Sequence, residues 1–286
     1  MRRTPLVVIA VVTLLGTLAF VQIVRSFGHE ISDLPLPTLG PYCTVSGDVE
    51  LDPVQMANAA TISAVGIRRG LPERAIVVAL ATALQESKLE NLDGGDRDSL
   101  GLFQQRPSKG WGTREKIQDP RYAADKFYSA LKRVKGWEKM RVTDAAQRVQ
   151  RSAYPNAYEK WADESAVLAK ALTGRATGAV DCTVSSEPVV RGAAAATALL
   201  KGLKLDWGKG LAKTPAAAQP AGLTVSVPDS STGWRYAHWL VSHASNTGLE
   251  RVRFADLEWH APDGTWQKVT ASAGTDRGRV VAQVFS

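Results

Sequence analysis

From Ala75 to Ala81 the chain reads Ala-Ile-Val-Val-Ala-Leu-Ala, and Pro72 stands in front of it as a helix opener. The spacing predicts a helix over Glu73–Ser87 that is apolar on all sides at its centre. Such a helix is stable only when other elements enclose it, so it must be buried. It ends on Glu86. Burial penalises an ionised carboxylate, and the helix C-terminus adds a partial negative charge beside it. Glu86 is therefore suited to hold a proton and hand it to a leaving oxygen, which is what general-acid cleavage of a glycosidic bond requires. A solvated helix-end residue is the alternative, as for Glu90 one turn later.

The flanking sequence supplies further helices. Asp52-Pro53 is an N-cap followed by a first-turn proline, and the apolar positions behind it reach Ile67 before Gly70. Asp119-Pro120 repeats the device, with Tyr122, Phe127, Ala130, Leu131 and Val134 on one face behind it. Thr143 begins a short helix, and Tyr158, Trp161, Ser165, Leu168 and Leu172 mark another that stops at Gly174. Residues 43–182 are thus expected to form an all-α domain. Between Leu89 and Gln118 no period survives, and Gly94, Gly95, Gly101, Gly110 and Gly112 fall there. An irregular segment of that length is usually functional.

At the N-terminus, Arg2 and Arg3 precede an apolar run from Pro5 to Val24 closed by Arg25. The run is about one bilayer thick and predicts a transmembrane helix, either a signal anchor over 1–25 or a cleaved signal peptide. The body then lies outside the cytoplasm, single-pass on the cell membrane or secreted, with 26–42 as a proline-bearing stalk. The two cysteines, Cys43 and Cys182, are expected to pair in such a compartment, a closure of roughly 5 kcal/mol in the chain-entropy model. The net charge of +7 admits an acidic wall polymer, a lipid surface or nucleic acid as partner. Export argues against nucleic acid.

Residues 183–222 are rich in Ala, Gly, Lys and Pro and read as a linker, with a short helix over Ala193–Leu200. Residues 223–286 read as a small α+β domain of unassigned role. It holds a helix from Trp234 to about Ser245, four strand-like runs after Leu249, and a turn at Pro262-Asp263-Gly264. Trp234, Trp239, Trp259 and Trp266 are expected in its core. His238, His243 and His260 lack metal-ligand spacing, and neither a metal nor a cofactor is expected. The fold class is therefore mainly α, with an α+β tail and a transmembrane helix at its head.

Three stretches in a set order add a resemblance: Gln85-Glu86-Ser87, then Ser99-Leu100-Gly101-Leu102-Phe103-Gln104-Gln105, then Ala153-Tyr154-Pro155-Asn156-Ala157-Tyr158. Over residues 52–174 the chain resembles the soluble lytic transglycosylases and goose-type lysozymes, including lytic enzymes of actinobacterial type. Their fold is lysozyme-like and all-α, and their substrate is the glycan strand of peptidoglycan between MurNAc and GlcNAc. The resemblance implies that Glu86 is the catalytic acid and base. It implies that Ser87 supports the substrate or the carboxylate, Gly101 allows close backbone approach, Gln104 lines the sugar cleft, Tyr154 sits against Glu86, and Asn156 bonds substrate. Pro155 breaks the family's Ala-Tyr-Asn pattern, and Tyr158 stands where a glycine is common.

Family members generally lack a second catalytic carboxylate, and the MurNAc 6-hydroxyl completes the reaction to give a 1,6-anhydro end. Here Asp93, Asp96 and Asp98 follow Glu86 closely. A water held by Asp96 or Asp98 would instead make a lysozyme-like hydrolase. Trp111, in a glycine-flexed loop, is a candidate sugar platform. A wall-binding scaffold without chemistry is the remaining reading.

Overall fold

The Asp52-Pro53 and Asp119-Pro120 signals both start helices in the computed structural model, which describes residues 40–185, 187–208, 216–219, 221–269 and 276–286. Helix α1 (Pro53–Arg68) is capped by the Asp52 carboxylate, which accepts from the backbone N–H groups of Val54 and Gln55 at 2.7 and 2.9 Å. The Gln55 side chain returns a bond to the Asp52 N–H, completing a capping box. Helix α2 (Glu73–Ser87) is buried without interruption from Ala75 to Leu84. It is enclosed by α1, α4 (Pro120–Leu131), α5 (Val142–Gln150) and α6 (Ala162–Leu172). The segment between α2 and α4 is irregular except for a 3-10 turn at Pro107–Lys109 and one turn of helix, α3 (Arg114–Ile117).

Strands β1 (Cys43–Val45), β2 (Val49–Leu51) and β3 (Val180–Cys182) form a small antiparallel sheet in the order β2-β1-β3. Its register sets Cys43 opposite Cys182, and the two are joined as a disulfide across 139 positions of sequence.

Helix α7 (Gly192–Trp207) runs through the stretch expected as a linker and buries Leu199, Leu203 and Trp207. After it come β4 (Ala216–Gln219), β5 (Gly222–Ser226), α8 (Ser230–Ser242), α9 (Ala244–Thr247), β6 (Leu249–Ala255), β7 (Leu257–His260), β8 (Trp266–Lys268) and β9 (Asp276–Val284). These strands make a second antiparallel sheet in the order β4-β5-β9-β6-β7-β8.

Helix α8 is buried from Gly233 to Ser242 except at Arg235, because it contacts β6 and β9 of this sheet as well as α1, α6 and β3. The fit is close where α6 ends. Gly174 has φ +75°, and a Cβ there would lie 1.9 Å from the carbonyl oxygen of Ser231. Pro41–Ser286 accordingly forms one compact unit.

Two polar nodes bind the C-terminal part to the helices. His238 accepts from the Ala179 N–H at 2.9 Å through Nε2, so its Nδ1 carries the hydrogen and donates to the Ala171 carbonyl at 2.8 Å. Asp206, fully buried, accepts from Thr61 Oγ1 and Trp239 Nε1, both at 2.8 Å. Arg121 forms an ion pair with it at 2.6 Å, with its N–H off the hydrogen-bond axis.

The expectation of a mainly α chain headed by a membrane span is corrected. The fold is about 48% helix with 17% strand in two antiparallel sheets. The strands of the first sheet are three residues long, too short to display a two-residue period. Against the expected single-pass localisation on the cell membrane, no helix among the described residues is long and apolar enough to cross a membrane. The Pro5–Val24 run and nearly all of the stalk lie outside the described residues.

Candidate active site

Glu86 occupies the last turn of α2 and is half-buried. The Tyr158 hydroxyl donates to its Oε1 at 2.6 Å, and Gln150 Nε2 donates to the same oxygen at 3.1 Å. Among the described residues no donor reaches Oε2. Tyr158 is fully buried. Burial first, and then the charge of Glu86, push its phenol far above the ordinary value, so its hydroxyl remains a donor.

The Gly101–Gln104 turn is built to meet this helix end. Leu100 and Gln105 close it with two reciprocal backbone hydrogen bonds of 2.9 Å. Gly101 has φ +70°, and a Cβ there would sit 3.0 Å from the Ile117 carbonyl oxygen, so glycine serves both the conformation and the approach. Leu102 and Phe103 are buried, with Phe103 stacked on Phe127 at 4.7 Å. Their carbonyls are both engaged at the site. Ser87 Oγ donates to Leu102 O at 2.8 Å, and Gln150 Nε2 donates to Phe103 O at 2.9 Å. Gln104, with φ +47°, bonds back to the Gly101 carbonyl, and its amide rests where a Cβ on Gly95 would be.

Ser87 and Gln150 thus join the helix end to the turn through the Leu102 and Phe103 carbonyls, while Gly101 lies against Ile117 and the Gln104 side chain lies against Gly95. Tyr154 does not join this junction. It is 74% exposed, and Tyr158 makes the contact with Glu86 expected of Tyr154. Asn156 is exposed on the same loop. The signal for Tyr158 was a second Ala-Tyr pair, Ala157-Tyr158, four residues after Ala153-Tyr154. Gln150 had no signal of its own. Trp111 is half-buried, and its carbonyl accepts from the Tyr122 hydroxyl at 3.1 Å.

The two aspartates differ from Glu86. Asp98 accepts from the Ser108 N–H at 2.8 Å and from Arg106 Nε at 2.6 Å. These bonds hold its carboxyl far below the usual carboxylate range, which makes it a fixed anion. Asp96 is exposed, with Arg97 at 3.9 Å.

Beside the site, Trp161 Nε1 donates to Gln85 Oε1 at 2.9 Å, and the Lys88 ammonium lies 3.7 Å from the centre of the Trp161 ring. A cavity of about 860 Å³ runs along the first half of α2, between Arg74, Met140, Arg141, Glu159 and Asp163, and does not include Glu86. Among the described residues no cluster of three or more His, Cys, Asp or Glu side chains is arranged to hold a metal ion. No protein-family model matches the chain, and no curated protein matches it.

Proposed function

We propose that the protein cleaves the glycan strands of bacterial peptidoglycan between MurNAc and GlcNAc, as a lytic transglycosylase. Glu86 protonates the glycosidic oxygen as the bond to the MurNAc anomeric carbon breaks. The resulting carboxylate then takes the proton of the MurNAc 6-hydroxyl while that oxygen attacks the same carbon, giving a 1,6-anhydro end and regenerating the acid. No water is consumed.

One observation carries the reading: a half-buried carboxyl at a helix end has one oxygen held by Tyr158 and Gln150 and the other without a donor among the described residues. A single group that both gives and takes a proton needs such an oxygen. The choice of transglycosylase over hydrolase rests on the nearby aspartates. Asp98 is a fixed anion occupied by Arg106 and Ser108, and Asp96 stands in solvent. Neither is organised to hold a water for attack.

The test is digestion of purified peptidoglycan with the protein, followed by mass spectrometry of the released muropeptides. Ends lighter by one water are expected. Reducing ends would make the protein a hydrolase, and sedimentation with the wall without release would make it a binder. Glu86→Gln should lower release by on the order of 10²–10⁴-fold with the fold intact. Full activity in that variant would remove Glu86 from the mechanism.

A further inference from the structure

Gln150 lies at the last position of α5, three residues ahead of Ala153 and outside every stretch that carries the resemblance. Its side chain nevertheless joins the two halves of the site. Nε2 is 3.1 Å from Glu86 Oε1 and 2.9 Å from the Phe103 carbonyl oxygen. A primary amide has two N–H hydrogens on that nitrogen, and here each has its own acceptor.

The orientation of the amide follows from chemistry. The Phe103 carbonyl can only accept, so the group facing it must be the NH₂ end. Turned over, the amide would set its own oxygen against two acceptors. The Phe103 carbonyl therefore obliges Gln150 to present a donor to Glu86. That carbonyl is itself held by the Gly101–Gln104 turn, through the paired Leu100 and Gln105 backbones and the buried Phe103 ring.

We infer that Gln150 is a positioning residue that assigns the two oxygens of Glu86 their roles: Oε1 is the permanent acceptor, and Oε2 carries the proton that is given and taken back. Tyr158 donates to the same oxygen at 2.6 Å, so both fixed donors act in one sense. In the acid form a hydrogen on Oε1 would meet two donors, whereas a hydrogen on Oε2 meets none among the described residues. The site thereby keeps one rotamer of the carboxylic acid throughout the cycle. The inference rests on the proposed general-acid role of Glu86, but the hydrogen-bond assignment is testable without turnover.

The experiment compares the wild type with Gln150→Leu, which keeps the volume and removes the donor, and with Gln150→Glu, which is nearly isosteric. The Glu86 carboxyl is followed by ¹³C NMR as pH is varied, with Glu86→Gln supplying the assignment. Loss of a donor to the charged form should move the Glu86 titration midpoint up by about one pH unit in Gln150→Leu, a ten-fold change in proton affinity. The alkaline limb of the pH–rate profile should move with it, and kcat should fall roughly ten-fold with KM little changed.

In Gln150→Glu the neighbouring carboxylate repels Glu86, and activity should recover as pH falls and the introduced group becomes a donor. If Gln150→Leu does not fold, this pH-dependent recovery carries the test alone. A midpoint that stays at the wild-type value, or an activity loss with an unmoved pH profile, overturns the inference. A shifted midpoint in a protein that releases no muropeptides would retain the hydrogen-bond assignment and reject the enzyme reading.

Discussion

Two tyrosines four residues apart have opposite environments, and the difference decides which of them bonds Glu86. Tyr154 projects into solvent, whereas Tyr158 is enclosed and bonded to Glu86. Both follow an alanine, so local sequence does not separate them. What separates them is the course of the chain after α5: Arg151 adopts φ +54°, Gln147 bonds the Ser152 backbone on both sides, and the loop carries Tyr154 outward before turning Tyr158 in. Glu86 was legible because an acid closing an apolar helix is unusual in itself. Gln150 was not, because a glutamine at the end of an amphipathic helix is ordinary until its acceptors are known. Tyr158→Phe removes a hydrogen bond to the carboxylate that forms when Glu86 gives up its proton, of about 1.5–3 kcal/mol. Muropeptide release should fall roughly ten- to a hundred-fold. Tyr154→Phe should leave release within about two-fold. Equal loss in both would mean that the 154–158 loop acts as a unit.

At the scale of elements, the site is a junction of the α2 end with the Gly101–Gln104 turn. Ser87 is its pin: its buried hydroxyl shares one hydrogen between Leu102 O at 2.8 Å and Ala83 O at 3.1 Å. The Gln55 and Asn58 side chains of α1 take the next two carbonyls, Lys88 and Leu89, which continue past the helix in left-handed conformations. Ser87→Ala leaves the buried Leu102 carbonyl without that donor, and the cost is expected at about 1–3 kcal/mol by urea denaturation. Release should fall as well, because the turn that orients Gln150 loosens. Unchanged stability would show that water replaces the hydroxyl. The helices here were readable from their Asp-Pro starts and apolar faces. Helix α7 was readable only in part, since alanines fill its first turns and Leu199, Leu203 and Trp207 recur once per turn inside a composition typical of linkers. The three-residue strands lacked any period at all.

For the whole molecule, the C-terminal sheet and its helices share a core with the helical body, and histidines at that seam make stability depend on pH. His238 is fully buried, and burial lowers its pKa from 6.5 to about 4. The native state therefore binds fewer protons than the unfolded chain between those values, and stability rises with pH across that window. The contribution is complete above pH 6.5 and is lost as pH falls toward 4, by up to about 3 kcal/mol. His243, half-buried beside Asp206, is shifted in the same direction by desolvation. Asp181, where β3 meets the Trp266 backbone, acts in the opposite sense, because burial raises its pKa from 3.8 to about 6. Its contribution is present below pH 3.8 and disappears as pH rises through 6. His238 outweighs it, since Asp181 is partly solvated and its shift is screened. The melting temperature should therefore fall as pH is taken from 6.5 to 4. His238→Asn keeps one donor and one acceptor without a titrating ring, so the same scan should give a flatter curve at a lower overall stability. An equally steep acid limb in that variant would move the origin of the pH dependence away from this seam.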